Sequence, residues 1–383
     1  MALCIPNPHT SLKALPATDN SAMVIVIGAG AAGLALGHAL QQRTIDYVIL
    51  EQDKIGNVWS RHYDRLHLHT LKQVSGLPGL SIPKDYPDFP SAAQVQAYLV
   101  QYAEHFQLNI REGVAVTATH WHANTWHLET TSGEMNASTL AVTTGIWSTP
   151  VKPSLPGEAD FHGHVMHANG YKNAAPFAGQ HVLVVGVGNS GSEIALDLSE
   201  HGVDTCIAVR DGAYFVPRPA SAIASKLLAY ELRTLPTPIA EALVKRARKD
   251  FTDIGLPPPS GPALEAYPVV GYELPEAVAA GRVKVVPAVE HFTRTGVQFM
   301  GGAAADFDTV ILATGYRPTL SFIQPDQLEL DNKDWPKLDE HWRSVRNPNL
   351  ICLGFRYPST EGWLQSIGRF IDEAVEGLRF DSC

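Results

Sequence analysis

The sequence predicts an α/β chain made of two doubly wound units, the second inserted between two segments of the first. Three observations carry that expectation. Residues 23–51, MVIVIGAGAAGLALGHALQQRTIDYVILE, pass from a β-branched run through glycines into an Ala/Leu-rich segment and then a second apolar run, the pattern of strand, loop, helix and strand. The same order returns at residues 181–210, HVLVVGVGNSGSEIALDLSEHGVDTCIAVR. Near the end, DTVILATGYRP is an apolar strand entering a turn, where the chain is expected to return to the first unit. Each repeat is a Rossmann-like dinucleotide-binding pattern, and the expected boundaries are 22–155, 156–297 and 298–383.

Between the repeats, LPGLSIPKDYPDFPSAAQVQAYLVQYAEHF moves from Pro-punctuated turns into a helix from about Ser91. After it, WHANTWHLETTSGEMNASTLAVTTG alternates like a small sheet. Residues 217–268 are rich in Pro, Ala and basic side chains and read as short helices and loops. RVKVVPAVEHFTRTGVQFMGG alternates again, with a turn at Gly301 and Gly302.

Bulk properties narrow the function. A chain of 383 residues with 45% hydrophobic side chains has room for two or three domains and a sizeable core. Lys and Arg number 29 against 39 Asp and Glu, and the formal charge of −10 disfavours general attraction to nucleic acid or an anionic membrane. Small molecules are the expected partners, and homo-oligomerisation is left open. Cys4, Cys206, Cys352 and Cys383 are too scattered for a disulfide framework, a CxxC pair or a cysteine zinc cluster, which suits a reducing, cytoplasmic setting. No apolar block of signal-peptide length precedes residue 22 and nowhere do 18 apolar residues run together, so neither secretion nor membrane spanning is expected.

The glycine loops carry the chemistry. In Gly28-x-Gly30-x-x-Gly33 the first glycine allows the tight turn, the second lets a pyrophosphate approach the backbone, and the third lets helix and strand pack closely. Glu51, about twenty residues on, closes the second strand where a carboxylate can accept hydrogen bonds from a ribose diol. The second loop is Gly186-x-Gly188-Asn189-Ser190-Gly191, and the position matching Glu51 is Arg210. A guanidinium there can pair with a 2′-phosphate, so NADPH is expected over NADH, with Arg218 as a second anchor; both arginines as ordinary surface charges is the alternative. Two dinucleotide sites without a redox cysteine pair let a hydride pass from nicotinamide to a flavin but supply no thiol relay, which leaves dioxygen as the natural acceptor.

These residues resemble the class B flavin-dependent monooxygenases, and most closely the flavin-containing monooxygenases of the plant YUCCA type. The resemblance spans nearly the whole chain. It rests on GAGAAG with Glu51, Trp59 in GNVW, YDRLHLHTLKQ followed by IPKDYPDFP, FHGHVMHANGY, GVGNSG and ATGYRP. The family signature F-x-G-x-x-x-H-x-x-x-Y/F is filled by Phe161, Gly163, His167 and Tyr171, and Tyr in the last place separates it from the Baeyer–Villiger enzymes, which usually carry Trp. Thr314 and Gly315 match the tract that in the family joins the two nucleotide domains near the cofactors, and are expected to contact them.

The resemblance implies bound FAD reduced by NADPH, an oxygen adduct of the flavin protected from water, and transfer of one oxygen atom to an amine, a sulfide or an α-keto acid such as an aryl pyruvate. It also points to His69 and Lys72 as the candidate catalytic residues, bordering the oxygen-reacting face with His69 bonding the oxygen adduct or steering substrate, the alternative being ordinary loop residues. Trp59 covers the cofactor or fills core, and Asn57, replacing the second glycine of many relatives, is expected to take a positive φ. His167 is expected to set domain orientation. An NADPH-dependent flavin reductase and a non-catalytic nucleotide-binding protein are the rival readings.

Other features read as structure. His162, His164 and His167 do not converge in an extended segment, so no metal is expected there. His120 and His122 share a strand face without a third ligand. Ser190 lacks the G-x-S-x-G elbow and reads as a capping or phosphate-contacting hydroxyl. Lys245, Arg246, Arg248 and Lys249 read as a solvated helix face.

Overall fold

A computed structural model describes residues 21–265, 267–358 and 361–376; Cys4, Cys383 and the polar leader lie outside the described residues. The first sheet is built on Ser21–Ile27, flanked in parallel by Tyr47–Glu51 on one side and Gly133–Val142 on the other. Ile110–Glu112 extends it beyond Tyr47–Glu51. Val24, Ile25, Val26 and Ile27 are all buried, as a parallel strand covered on both faces requires. The helices Ala31–Gln42 and Trp363–Glu376 share one core on one face of this sheet, through Leu34, Leu40, Phe370, Ile371 and Ala374.

The alternating stretch read as a small sheet belongs to the first sheet. Val116–His122 and Thr125–Thr130 form a hairpin turned at Ala123 and Asn124, both with positive φ, and the hairpin pairs with the first half of Gly133–Val142. The second half of that strand takes Leu350–Cys352 in parallel. A ten-residue strand thus serves two neighbours on one edge, which alternation alone does not reveal. Helix Ala92–His105 begins where expected: the Ser91 hydroxyl accepts from the Gln94 N–H, and the Gln94 side chain accepts from the Ser91 N–H.

The second sheet is wholly parallel, in the order Val283–Pro287, Asp204–Val209, His181–Val185, Thr309–Leu312, His164–His167. Thr309–Leu312 lies beyond the boundary expected at residue 297. The intervening hairpins, Val289–Phe292, Gly296–Phe299 and Ala304–Asp306, form a three-stranded sheet whose Phe292, Val297 and Phe299 pack with Leu183, Val310 and Leu312. Residues 298–312 therefore fold with the second sheet, because their apolar side chains complete its core. The return falls at Tyr316–Arg317, which pairs antiparallel with Thr149–Pro150. Residues 217–268 contain the helices Ala222–Thr234 and Thr237–Ala247, largely exposed, as their composition suggested.

Candidate active site between two nucleotide loops

Each glycine loop lies at the carboxyl end of a central parallel strand where the strand order reverses, the position at which open α/β sheets bind ligands. Gly28 has φ +106°, and a Cβ there would stand 2.9 Å from the Thr143 carbonyl oxygen. A Cβ on Gly33 would come within 2.0 Å of the Gly28 carbonyl oxygen, whereas one on Gly30 meets nothing within 4 Å. Packing thus demands the first and third glycines but leaves the space over the second for a ligand. Glu51 fastens the loop by accepting from the Ala29 N–H at 2.8 Å and the Asp53 N–H at 3.0 Å. A carboxylate has about four acceptor positions, so two stay free for a ribose diol.

The second loop repeats this geometry position by position. Gly186 has φ +108° and would clash with the Ala313 carbonyl oxygen at 2.6 Å, Gly191 with the Gly186 carbonyl oxygen at 2.0 Å, and Gly188 with nothing within 4 Å. Helices Ala31–Gln42 and Asn189–Glu200 both start without a side-chain cap, which leaves their first N–H groups for phosphate oxygens. The residues present fit two dinucleotides. The Asn189 side chain is engaged otherwise: its amide donates to the Pro268 carbonyl at 2.8 Å and accepts from the Val270 N–H at 3.1 Å. Arg210 is exposed at the end of Asp204–Val209, as expected. Arg218 lies over the Phe89 ring and donates to Glu273 at 2.7 Å, so one edge of its guanidinium is already committed.

The signature residues form a spine through the second unit. The Gly163 backbone passes so close to the Phe161 ring and the Asp308 carbonyl that a Cβ would meet them at 2.3 and 2.6 Å. His167 is buried; its Nε2–H donates to the Gly315 carbonyl at 3.1 Å, and its Nδ1 accepts from the Asn169 N–H at 3.1 Å. Burial holds its pKa below the usual histidine value, so the neutral ring pins Gly315, which has φ +90°, at the return to the first unit. Thr314 donates to the Val151 carbonyl beside it. Tyr171 is fully buried and donates to Asp197 at 2.5 Å, and burial followed by that carboxylate raises its pKa far above the usual phenol value. His162 and His164 are exposed, away from His167 in burial.

His69 is part of a contact between the units: its Nε2–H donates to Glu193 at 2.8 Å. Glu193 is buried, its Oε2 has no partner in hydrogen-bonding geometry, and the nearby Tyr63 hydroxyl is kept protonated by burial first and by that carboxylate second. Lys72 is occupied elsewhere, donating to the carbonyls of Lys84 and Tyr86, which fixes the Pro-rich loop. Trp59 is half-buried and packs on the first core. The turn before it is made by Gly56 at φ +64°; Asn57 does not take a positive φ but donates to Asp53 and accepts from the Ser60 hydroxyl. Glu193 was not singled out from the sequence. The available signal was an acidic pair at i and i+4, Glu193 and Asp197, on the buried side of one helix.

Fold and site together define a two-dinucleotide oxidoreductase. Residues 25–229 match the family model "Pyridine nucleotide-disulphide oxidoreductase". The chain is 36% identical over 348 residues to "Indole-3-pyruvate monooxygenase YUCCA1" of Oryza sativa subsp. japonica, covering 86% of each chain. To "Probable indole-3-pyruvate monooxygenase YUCCA4" of Arabidopsis thaliana it is 33% identical, over 94% of this chain and 87% of the relative. Among solved structures, the flavin-containing monooxygenase from Stenotrophomonas maltophilia superposes with a TM-score of 0.74 at 25% identity, covering 94% of this chain and 98% of that one. The open structure of cyclohexanone monooxygenase, at 16% identity and a TM-score of 0.66, shares the fold. The chain belongs to the flavin-containing monooxygenase family, of the YUCCA type. It is an FAD-dependent monooxygenase that uses NADPH and dioxygen on a small substrate. Among the described residues no helix is long and apolar enough to cross a membrane.

Proposed function

We propose that the enzyme oxygenates an aromatic α-keto acid of the indole-3-pyruvate kind. One oxygen atom enters the resulting carboxylic acid, the keto acid's carboxyl group leaves as carbon dioxide, and the second oxygen atom leaves as water at the expense of NADPH. The observation that carries this reading is the likeness, over 86% of both chains, to an indole-3-pyruvate monooxygenase. The described cysteines argue against a thiol relay: Cys206 and Cys352 are buried in different sheets, and burial pushes the Cys206 thiol up to about 11.

When bound, FAD and NADPH supply the redox and oxygen-activating chemistry. Gly28, Gly30, Gly33 and Glu51 hold FAD in this proposal, with Trp59 at its edge. Gly186, Gly188, Ser190, Gly191 and Arg210 hold NADPH, and Arg218 contributes its uncommitted edge. The FAD unit then comprises residues 22–155 and the chain after the return at Tyr316, and the NADPH unit lies between them. His69 acts through Glu193, and Lys72 supports the loop without touching substrate. A cytoplasmic location accords with these small soluble reactants.

Product analysis by mass spectrometry under labelled dioxygen tests the reaction. One labelled atom is expected in indole-3-acetic acid from indole-3-pyruvate. Label appearing only in an amine or sulfide product, or NADPH consumed with no labelled product, would overturn the assignment.

A further inference from the structure

The carboxyl end of the first sheet carries a run of aromatic rings that the cofactor loops do not explain. Trp147 meets Trp363 edge-on with ring centroids 6.0 Å apart, Trp363 lies 6.1 Å from Tyr357, and Tyr357 lies 5.2 Å from Tyr267. Trp335 stacks behind Trp363 at 6.4 Å. These residues come from four separate parts of the chain.

Their placement ties them to both nucleotide loops. Thr143, which donates through its hydroxyl to the carbonyls of Ile27 and Gly28, is four residues before Trp147, so the Cα of Trp147 lies within about 14 Å of that of Thr143 by chain length alone. Tyr357 follows Leu350–Cys352, the strand that runs parallel to the end of Gly133–Val142. Tyr267 adjoins Pro268, whose carbonyl accepts from Asn189 at the start of the second loop's helix. The rings therefore connect chain near the first glycine loop with chain held by the second.

The end members face water. Trp147 is 40% exposed and Tyr267 is 47% exposed, an unfavourable place for large apolar rings unless something covers them. Between them the Trp363 indole N–H is buried beside the Tyr267 hydroxyl. The exposed ring faces at the two ends of the run match a flat aryl group.

We propose that Trp147, Tyr267, Tyr357 and Trp363 form the aryl subsite and that they select aromatic over aliphatic α-keto acids. The proposal rests on the keto-acid reading above for its substrate, but its geometry is independent of it.

The test compares kcat/KM for indole-3-pyruvate and 4-methyl-2-oxopentanoate in the holoenzyme and in Trp147→Ala, Trp147→Phe and Tyr267→Ala, with FAD content and Tm as controls of folding. Trp147→Ala and Tyr267→Ala are expected to raise KM for the aryl acid at least tenfold, with kcat and the aliphatic KM within about twofold, and Trp147→Phe to restore most of the loss. An equal rise for both acids, or no rise, overturns the subsite. If the wild-type enzyme oxygenates neither acid, the substrate reading falls by itself. Calorimetric titration of the holoenzyme with indole-3-acetate then decides the subsite: binding at least tenfold weaker in Trp147→Ala sustains it, and unchanged or absent binding refutes it.

Discussion

Gly30 and Gly188 have open space where a side chain would stand, and both have backbone angles that alanine adopts freely. Their neighbours differ: Gly33 and Gly191 abut backbone carbonyls at 2.0 Å. The glycines within one motif thus answer to different demands, two to packing and one to the ligand. Gly30→Ala is expected to fold with a near-wild-type Tm yet bind FAD at least tenfold more weakly, about 1.4 kcal/mol, measured by released-flavin fluorescence. Gly188→Ala should keep its flavin and raise KM for NADPH by a similar factor. Flavin loss in Gly188→Ala would reverse the assignment of the two loops. The motif spacing was readable from residues 28–33 and 186–191, because a tight turn and a close helix contact exclude every side chain. The roles of Asn189 and Lys72 were not, since their partners Pro268, Val270, Lys84 and Tyr86 come into reach only after folding.

The helix Asn189–Glu200 joins the two units. Its first turn faces the second dinucleotide site, Glu193 accepts from His69 of the first unit, and Asp197 accepts from Tyr171 of the signature. One rigid element therefore links the second glycine loop to the loop carrying His69. His69→Ala leaves a buried carboxylate without its donor, a cost of about 1–3 kcal/mol. We expect His69→Ala to retain FAD while lowering Tm, raising KM for NADPH and decreasing product formed per NADPH oxidised. His69→Ala combined with Glu193→Ala should cost less than the two single changes summed, because the second removes the group the first strands. Strict additivity, or an unchanged ratio of product to NADPH, would show that the pair does not couple the units. From the sequence this helix was visible as glycine loop and apolar face, but an acidic side chain on that face has no partner until the other unit docks.

Across the whole molecule, the chain crosses from the second sheet to the first at 313–317, where His167 bonds Gly315, and several of its histidines are held neutral. His38, His62 and His167 all have pKa values below the usual 6.5, in each case chiefly because burial disfavours the charged ring. The unfolded chain therefore takes up protons near pH 6.5 that the native chain refuses, and stability present above that value is lost as pH falls through it toward the depressed native values. Tm measured from about pH 7.5 to about pH 5.5 should fall, and His167→Gln should lower Tm at the upper end while flattening the fall. A His167→Gln profile parallel to wild type would remove His167 from this linkage. The sequence by itself determined the class: two strand-loop-helix-strand repeats, their glycines, Glu51 against Arg210, and the signature from Phe161 to Tyr171, since local sterics and short-range periodicity specify them. Only the tertiary structure decided that residues 298–312 complete the second sheet, that the alternating stretch joins the first, that His69 answers to Glu193, and that aromatic rings from four distant segments meet. Each of these depends on which surfaces are brought together, and contacts between residues far apart in the chain leave no period in the sequence.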